Sequence, residues 1–222
     1  MDFFSNLIGG VMSFYICLGL IALVSFAMLA ARRLSILVIL FALQSAVLFL
    51  ISGLEAYETG EGRLYTIALM VLLVKVIGIP FMLRRTIRDL HVKDELGMFI
   101  KPFFSVLSGV LLVTLAAAFV GWYLPFKGGS AISISIALSI MLSGMFLMIF
   151  RMQALAQVVG LLVMENGIFL AGASLAGAVP FFVEIAVAFD VFMVVVILGV
   201  FIYRINSLFT HIDVNKLTKL KG

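Results

Sequence analysis

The chain has 222 residues, of which 64% are hydrophobic and only 12% are charged. A soluble domain keeps about a quarter of its residues charged, and the mean hydropathy of +1.30 is typical of an integral membrane protein. The net charge of +4 does not indicate nucleic-acid binding, because the aromatic residues lie inside apolar runs rather than among basic ones. The single cysteine, Cys17, excludes an internal disulfide and a cysteine-based metal cluster.

Apolar runs of roughly twenty residues predict membrane-spanning helices, since barrel strands would alternate apolar and polar residues over about ten positions. The first run follows no basic segment and no prompt small-residue cleavage site, so we expect a retained helix rather than a signal peptide. The predicted fold class is an all-α integral membrane protein with about seven transmembrane helices. The expected spans are residues 8–31, 34–54, 65–83, 103–124, 130–150, 155–177 and 181–203.

Lysine and arginine are distributed unequally between the predicted loops. If the first helix runs from outside to inside, only Arg63 and Lys127 are left on the outer face. This positive-inside pattern predicts an outer N-terminus and an inner C-terminus. We expect three parts: a three-helix N-terminal unit with a charged cytoplasmic loop (1–101), a connecting helix (102–129) and a three-helix C-terminal unit with a basic cytoplasmic tail (130–222).

Charged residues inside the predicted spans are the main candidates for function, because an unpaired charge at mid-membrane costs about 3 kcal/mol or more. At about 1.5 Å of rise per residue, Lys75, Glu165 and Asp190 all fall near the midplane of their spans. Glu184 falls roughly 9 Å nearer the outer face. A row of lysine and carboxylates at one depth favours lateral proton transfer, because a carboxyl can gain or lose a proton when a neighbouring charge moves.

Polar side chains near these charges are candidates for orienting water between them. They are Asn166, Gln157, Gln153 and Gln44, with Arg151 at the start of the sixth span. The alternative is that Lys75 forms one buried structural ion pair with Glu165 or Asp190, which would leave the other acids unexplained. Small residues on one face of the fifth span (Ser135, Ser139, Ser143 and Gly144) favour close helix packing over a wet ion path.

No phosphate loop, nucleophile–histidine pair or metal-ligand cluster is present, so the sequence predicts no independent catalysis, no metal site and no cofactor in this chain. His91 and His211 are far apart and have no neighbouring ligands. The charged loop RRTIRDLHVKDELG, from Arg84, suits either a short interfacial helix or a solvated loop.

The segment RMQALAQVVGLLVMEN carries Arg151, Gly160 and Asn166, and AVAFDVFMVVVIL places an acid in the following helix. With the basic tail HIDVNKLTKLKG, these motifs resemble the three-helix K subunit of respiratory complex I and the related C subunit of multisubunit sodium/proton antiporters. The pattern departs at its first glutamate, because Glu165 lies three residues after Leu162, where the K subunit places its acid.

The N-terminal helices, the segment VKVIGIP, and the combination of GLLVMENGIFL with PFFVEIAVAFDVF resemble the hydrogenase-4 component E family over nearly the whole chain. The resemblance implies a non-catalytic membrane-arm subunit of a complex-I-like hydrogenase in the cytoplasmic membrane. Its implied partners are antiporter-like and other membrane subunits, a peripheral cytoplasmic hydrogenase arm and lipid, with [NiFe] and iron–sulfur clusters in those partners. The resemblance assigns Glu165 and Asp190 as the membrane carboxylates, whereas Glu184 and Lys75 follow from depth and chemistry.

The sequence leaves three functions open. The first is ion translocation, of protons or sodium, coupled to redox chemistry in other subunits. The second is a membrane scaffold for the same kind of complex, with the charges serving as structural pairs. The third is a stand-alone secondary transporter, which the absence of facing broken helices and of a substrate-sized polar cluster disfavours.

Overall fold

The computed structural model describes residues 2–60, 62–89, 94–97 and 102–175, together with positions 189 and 199. Within these residues six helical segments are long and apolar enough to cross a membrane. The predicted all-α membrane architecture is therefore confirmed, with six spans found where about seven were expected. All but two positions of the seventh predicted span, 181–203, lie outside the described residues, and so do Glu184 and Asp190.

The helices follow the predicted apolar runs closely. Their bounds are α1 Asp2–Ala30, α2 Leu34–Thr59, α3 Gly62–Met70, a π-helical segment Val71–Gly78, α4 Ile79–Asp89, α5 Pro102–Tyr123, α6 Gly129–Phe150 and α7 Ala154–Ser174. The third span is formed by α3, the π-helical segment and α4 together. The first part of the charged loop thus continues α4 as far as Asp89.

Two antiparallel hairpins form the centre of the fold. The first consists of α1 and α2 and the second of α6 and α7, and the hairpins meet where α2 packs against α7. The third span packs against α2, whereas α5 packs on the outside against α1 and α6. Accordingly, 67% of the apolar stretch of α7 is buried but only 22% of that of α5. Helix α7 is the enclosed centre of the described structure.

Helices α6 and α7 approach so closely that only glycine fits at three positions, Gly144, Gly160 and Gly167. A Cβ added at Gly144 would lie 2.6 Å from the carbonyl oxygen of Gly160, and one added at Gly167 would lie 2.7 Å from that of Ala137. Backbone contact of this kind is how membrane helices gain packing energy without a hydrophobic driving force. The hydroxyls of Ser135, Ser139 and Ser143 donate to carbonyls of their own helix. The small residues of α6 therefore serve the predicted close packing.

The π-helical segment has a local cause in the sequence. Pro80 has no N–H, and in an α-helix its ring would clash with the carbonyl four residues earlier. The preceding turns are widened instead, and the N–H of Ile79 donates to the carbonyl of Val74, five residues back. Lys75 lies within these wide turns and is buried. Turns of this type are rare and frequently occur at functional sites.

Candidate functional site

Lys75 and Glu165 form an ion pair in the interior of the helix bundle. Lys75 Nζ lies 2.6 Å from Glu165 Oε1, and only 1% and 3% of the two side chains are exposed. One turn beyond Glu165, the ring of Phe169 lies with its centroid 5.8 Å from Nζ and adds a cation–π contact. The two residues lie at the same depth, as the helical rise predicts. The pair joins the third span to α7.

Amide and hydroxyl side chains extend this pair across the bundle. Lys75 Nζ donates to Asn166 Oδ1 at 3.4 Å, and Asn166 Nδ2 donates to Gln44 Oε1 at 3.0 Å. Gln44 Nε2 then donates to Ser25 Oγ at 2.8 Å, and the Ser25 hydroxyl donates to the carbonyl of Ile21 at 2.8 Å. We call Lys75, Glu165, Asn166, Gln44 and Ser25 the midplane cluster.

The midplane cluster links α7 to the π-helical segment and to α2, and through Gln44 it reaches α1. Glu165 and Asn166 are adjacent in sequence, so their side chains leave α7 in different directions. Glu165 faces Lys75 of the π-helical segment, whereas Asn166 contacts both Lys75 and Gln44 of α2. Asn166 Nδ2 also reaches Ser45 Oγ at 3.3 Å, and Gln44 and Asn166 are both 0% exposed. Hydrogen bonds of this kind between membrane helices average roughly 0.6 kcal/mol each. The cluster therefore fixes helix positions as well as charges.

Arg151 lies away from the midplane cluster, at the end of the helices that is predicted to be cytoplasmic. Its Nη2 donates to the carbonyls of Leu29 at 3.0 Å and Met28 at 3.4 Å, and the residue is 2% exposed. These carbonyls lie at the end of α1, where α-helical donors run out, and they also accept hydrogen bonds from the N–H of Ala31 and the hydroxyl of Ser105. Burial lowers the pKa of Arg151 to about 10, so the residue is a cation at neutral pH. A cation at a helix C-terminus is stabilised by the helix dipole.

A short extended segment, residues 94–97, joins both hairpins at this end. The N–H of Leu34 donates to the carbonyl of Asp94 at 2.8 Å, and the N–H of Leu96 donates to that of Arg32 at 2.9 Å. On the other side, the N–H of Met152 donates to the carbonyl of Gly97 at 3.1 Å. We call residues 94–97, together with the helix-end residues 32–35 and 151–153, the loop clamp.

Asp94 also caps the start of α2 with its side chain. Both the N–H and the hydroxyl of Ser35 donate to Asp94 Oδ1, at 2.8 Å and 2.6 Å. The residue at the N-cap position itself, Arg33, makes no side-chain cap. The hydrogen bonds from Ser35 hold the pKa of Asp94 below its usual value, and Arg33 lowers it further. The cap of α2 therefore comes from a residue 59 positions away.

The structure separates the predicted polar residues into two groups. Lys75, Glu165, Asn166 and Gln44 come together in the midplane cluster. Gln157 is exposed, and its Nε2 donates to the carbonyl of Arg151 at 3.0 Å. Gln153 donates to the carbonyl of Glu95 at 2.7 Å and belongs to the loop clamp. Of the four amide side chains predicted to orient water beside the charges, only Asn166 and Gln44 lie next to them.

Sequence reasoning did not identify Ser25, Ser45 or Asp94. A single serine inside an apolar helix is common and gives no signal without its partner, and this applies to Ser25 and Ser45 alike. For Asp94 a signal did exist, because helix α2 starts after two arginines with no capping residue at that position. A helix start without a local cap indicates a cap from elsewhere in the chain.

A cavity of about 350 Å³ opens at the end of the bundle that is predicted to face outside. It lies between α1, α2, α6 and α7, and Ile51 and Leu170 line its deeper part. Leu170 follows Asn166 by one helical turn, about 6 Å. The polar residues that line the cavity are Tyr15, Glu55, Glu58, Ser130, Ser133 and Ser174. Among the described residues, no three histidine, cysteine or acidic side chains come together to hold a metal.

Comparison with known proteins finds relatives that match almost end to end. The chain is 27% identical over 205 residues to an uncharacterized protein, Rv0085, of Mycobacterium tuberculosis, covering 91% of this chain and 93% of that protein. It is 26% identical over 205 residues to hydrogenase-4 component E of Escherichia coli K12, and equally to that of Shigella flexneri, covering 92% of this chain and 95% of theirs. No family model and no solved structure matches. The motifs, the membrane helices and the end-to-end match agree: the chain is similar over nearly its whole length to hydrogenase-4 component E.

Proposed function

We propose that this protein is a non-catalytic membrane subunit of a hydrogenase-type complex and that Glu165 and Lys75 take part in its transmembrane ion movement. The homology and the six membrane-spanning helices fit such a subunit. The observation that carries the ionic part is the buried Lys75–Glu165 pair, set among amides in the core of the described structure. The ion is a proton or sodium, and the redox chemistry belongs to other subunits.

The pair has the chemistry that a proton relay needs. Transfer of one proton from Lys75 Nζ to Glu165 Oε1 breaks an N–H bond, forms an O–H bond and leaves two neutral groups. Neutral groups cost far less than single charges in a medium of low dielectric. A change in a neighbouring charge can therefore drive proton transfer between Lys75 and Glu165. We propose that Asp190 and Glu184 of the predicted seventh span continue the proton path from this pair.

Two further features support an ion path near α7. The outer cavity carries Glu55 and Glu58 and reaches Leu170, one turn from Asn166. Position Phe189, the sequence neighbour of Asp190, is partly buried and packs against the apolar core. We propose that ions reach the midplane cluster from the cavity side and continue toward Asp190.

The proposed partners follow from the relatives and from the exposed surface. We propose antiporter-like and other membrane subunits as neighbours, with a peripheral hydrogenase arm that holds the [NiFe] and iron–sulfur clusters. Helix α5 offers an apolar outer face, on which Trp122 and Tyr123 are 82% and 73% exposed. Aromatic residues at the end of a span are typical of the membrane interface. This face suits lipid or a neighbouring membrane subunit.

The experiment that tests the proposal is the Glu165→Gln variant in the native complex, studied in membrane vesicles. We expect the complex to assemble and its redox turnover to continue, while ion movement per turnover falls at least severalfold. Glu95→Gln is the matched control, because Glu95 is exposed and contributes only its backbone to the loop clamp. Normal coupled ion movement in Glu165→Gln would contradict the proposal.

A structural scaffold is the second candidate function, and the same ion pair favours it. A pair that is fully enclosed and 2.6 Å apart is also what a structural anchor requires. The charge exchange Lys75→Glu with Glu165→Lys separates the two functions. If the pair is a structural anchor, the exchanged variant should assemble and couple redox turnover to ion movement as the wild type does. If the pair is a relay, the exchanged variant should assemble but should not regain coupled ion movement.

A further inference from the structure

We infer that Ser25 and Gln44 are positioning residues for the Lys75–Glu165 pair. With Asn166 they form a hydrogen-bonded chain of fixed direction that keeps Lys75 an ammonium and carries no protons toward α1. The functional part of this inference rests on the proposed role of the pair in ion movement. The direction of the chain rests on the contacts alone.

The direction follows from the chemistry of its first member. A lysine ammonium has three donors and no acceptor, so the atom of Asn166 that faces Nζ at 3.4 Å has to be Oδ1. Asn166 Nδ2 therefore faces Gln44 and donates to its Oε1 at 3.0 Å. Gln44 Nε2 then faces Ser25 Oγ at 2.8 Å, and the serine proton has only an outward partner, the carbonyl of Ile21.

Each link therefore presents the negative end of its dipole toward Lys75. Bonds in such a chain polarise one another and strengthen by about 10–30% each in a medium of low dielectric. Gln44 is 0% exposed and Ser25 is 6% exposed, so water does not weaken the effect. The chain stabilises the charged form of Lys75 and, through it, the carboxylate form of Glu165.

The same chain is closed to proton transfer. Two of its members are carboxamides, which have no titratable group and cannot pass a proton from oxygen to nitrogen at neutral pH. A proton that leaves the Lys75–Glu165 pair must therefore take a route that does not pass through Asn166, Gln44 and Ser25. Through Ser25, helix α1 positions the charge, and the chain from Asn166 to Ser25 lies outside the ion path.

Two serines in the structure make a matched comparison possible. Ser25 and Ser52 are both nearly buried, at 6% and 5%, and each hydroxyl donates to the carbonyl four residues earlier in its helix, at 2.8 Å and 3.0 Å. Only Ser25 also accepts a bond from Gln44. Ser25→Ala removes one link of the chain, whereas Ser52→Ala removes a similar hydroxyl outside it.

The test is infrared spectroscopy of the assembled complex in membranes at one neutral pH, with the Glu165 bands assigned through Glu165→Gln. We expect the carboxylic acid band of Glu165 to rise roughly two- to tenfold in Gln44→Leu and less in Ser25→Ala. Ser25→Thr keeps the hydroxyl and should show the wild-type spectrum, as should Ser52→Ala. If Gln44→Leu does not assemble, the serine variants decide the matter alone.

Two results would overturn the inference: a wild-type acid band in both Gln44→Leu and Ser25→Ala, or an equal rise in Ser52→Ala. Ion movement is recorded in the same vesicles, so the two proposals fail separately. A band that responds as expected, in a complex whose Glu165→Gln variant pumps normally, would support the positioning chain and reject the proposed function.

Discussion

The midplane cluster and the loop clamp both join the two hairpins, but they use different chemical groups. The cluster consists of side chains, with one ion pair and three amide or hydroxyl groups in sequence. The clamp consists largely of backbone N–H and C=O groups of extended residues. The reason is the solvent. Inside the apolar layer every backbone group is used within its own helix, so only side chains can bond between helices, whereas the helix breaks have backbone groups to spare.

This contrast separates two kinds of sensitivity. In the midplane cluster the identity of each side chain matters, because a lost partner leaves a buried polar group or charge behind. In the loop clamp the path of the chain matters more than most side chains, with Arg151 and Asp94 as exceptions. Four substitutions test the contrast.

Replacing Lys75 by methionine should have the largest effect. It leaves Glu165 buried without its cation, which costs about 3–5 kcal/mol of the free energy of unfolding. Denaturant unfolding in detergent measures the loss. The double variant Lys75→Met with Glu165→Leu should regain most of it, because an apolar pair of similar size replaces the charges. A single variant as stable as wild type would show that the cluster does not hold the bundle together.

Substituting Gly144 by alanine should break the cluster indirectly. The new methyl group meets the backbone of α7 at Gly160 and Met164, so the helices must separate where Glu165 leaves α7. Overpacking of this kind costs roughly 2–3 kcal/mol. The control is Gly53→Ala in α2, where nothing lies within 4 Å and the gain in helix propensity is about 0.5–1 kcal/mol. Thermal unfolding of the two variants in the same detergent compares them, and equal stability would refute the close contact.

Arg151→Met tests the buried cation of the loop clamp. The carbonyls at the end of α1 lose a charged donor, and we expect a loss of about 2 kcal/mol in unfolding free energy. Arg151→Lys keeps the charge but not the planar fork and should fall in between. Arg32→Met is the matched control, because Arg32 is exposed and its loss should cost less than about 0.5 kcal/mol. An Arg151→Met loss no larger than this control would mean that the clamp does not need its cation.

Asp94→Ala should have the smallest effect of the four, about 1 kcal/mol, from loss of the α2 cap. The pKa of Asp94 is lowered in the folded protein, so its contribution is complete above the unfolded value and is lost as pH falls through the folded one. The stability gap between wild type and Asp94→Ala should therefore be constant near neutral pH and close below about pH 4. A gap that persists in acid would show that the carboxylate form is not the cap.

The spanning helices and the charged residues Lys75 and Glu165 could be predicted from the sequence because each stands out in its local composition. Apolar runs long enough to cross a membrane are the direct signal of spanning helices, and Lys75 and Glu165 stand out inside them at matching depth. The sequence could not choose between Glu165 and Asp190 as the partner of Lys75, since both lie at that depth. Among the residues that the structure describes, Glu165 is the acid paired with Lys75.

The loop clamp and the π-helical segment were not predicted. Hydrogen bonds between backbone groups carry no residue preference, so nothing in residues 94–97 indicates that they join 32–35 to 151–153. The segment VKVIGIP contains the cause of the wide turns in Pro80, but the usual outcome of a proline in a helix is a kink. Gln157 lies on α7, the same element as Glu165, and Gln153 lies just before it. The helical rise alone separates Gln157 from Glu165 by about 12 Å along the axis, so the sequence already indicated that Gln157 is too far away to orient water beside Glu165.

The Lys75–Glu165 pair has a consequence for how the protein is made. The partners are 90 residues apart in the chain, and ribosomes add roughly 5–20 residues per second. During synthesis Lys75 therefore exists without Glu165 for roughly 5–18 seconds. In that interval the third span carries an uncompensated charge, which costs about 3 kcal/mol at the membrane centre. We therefore expect the first three helices to be less stable in lipid until α7 is inserted and Glu165 pairs with Lys75.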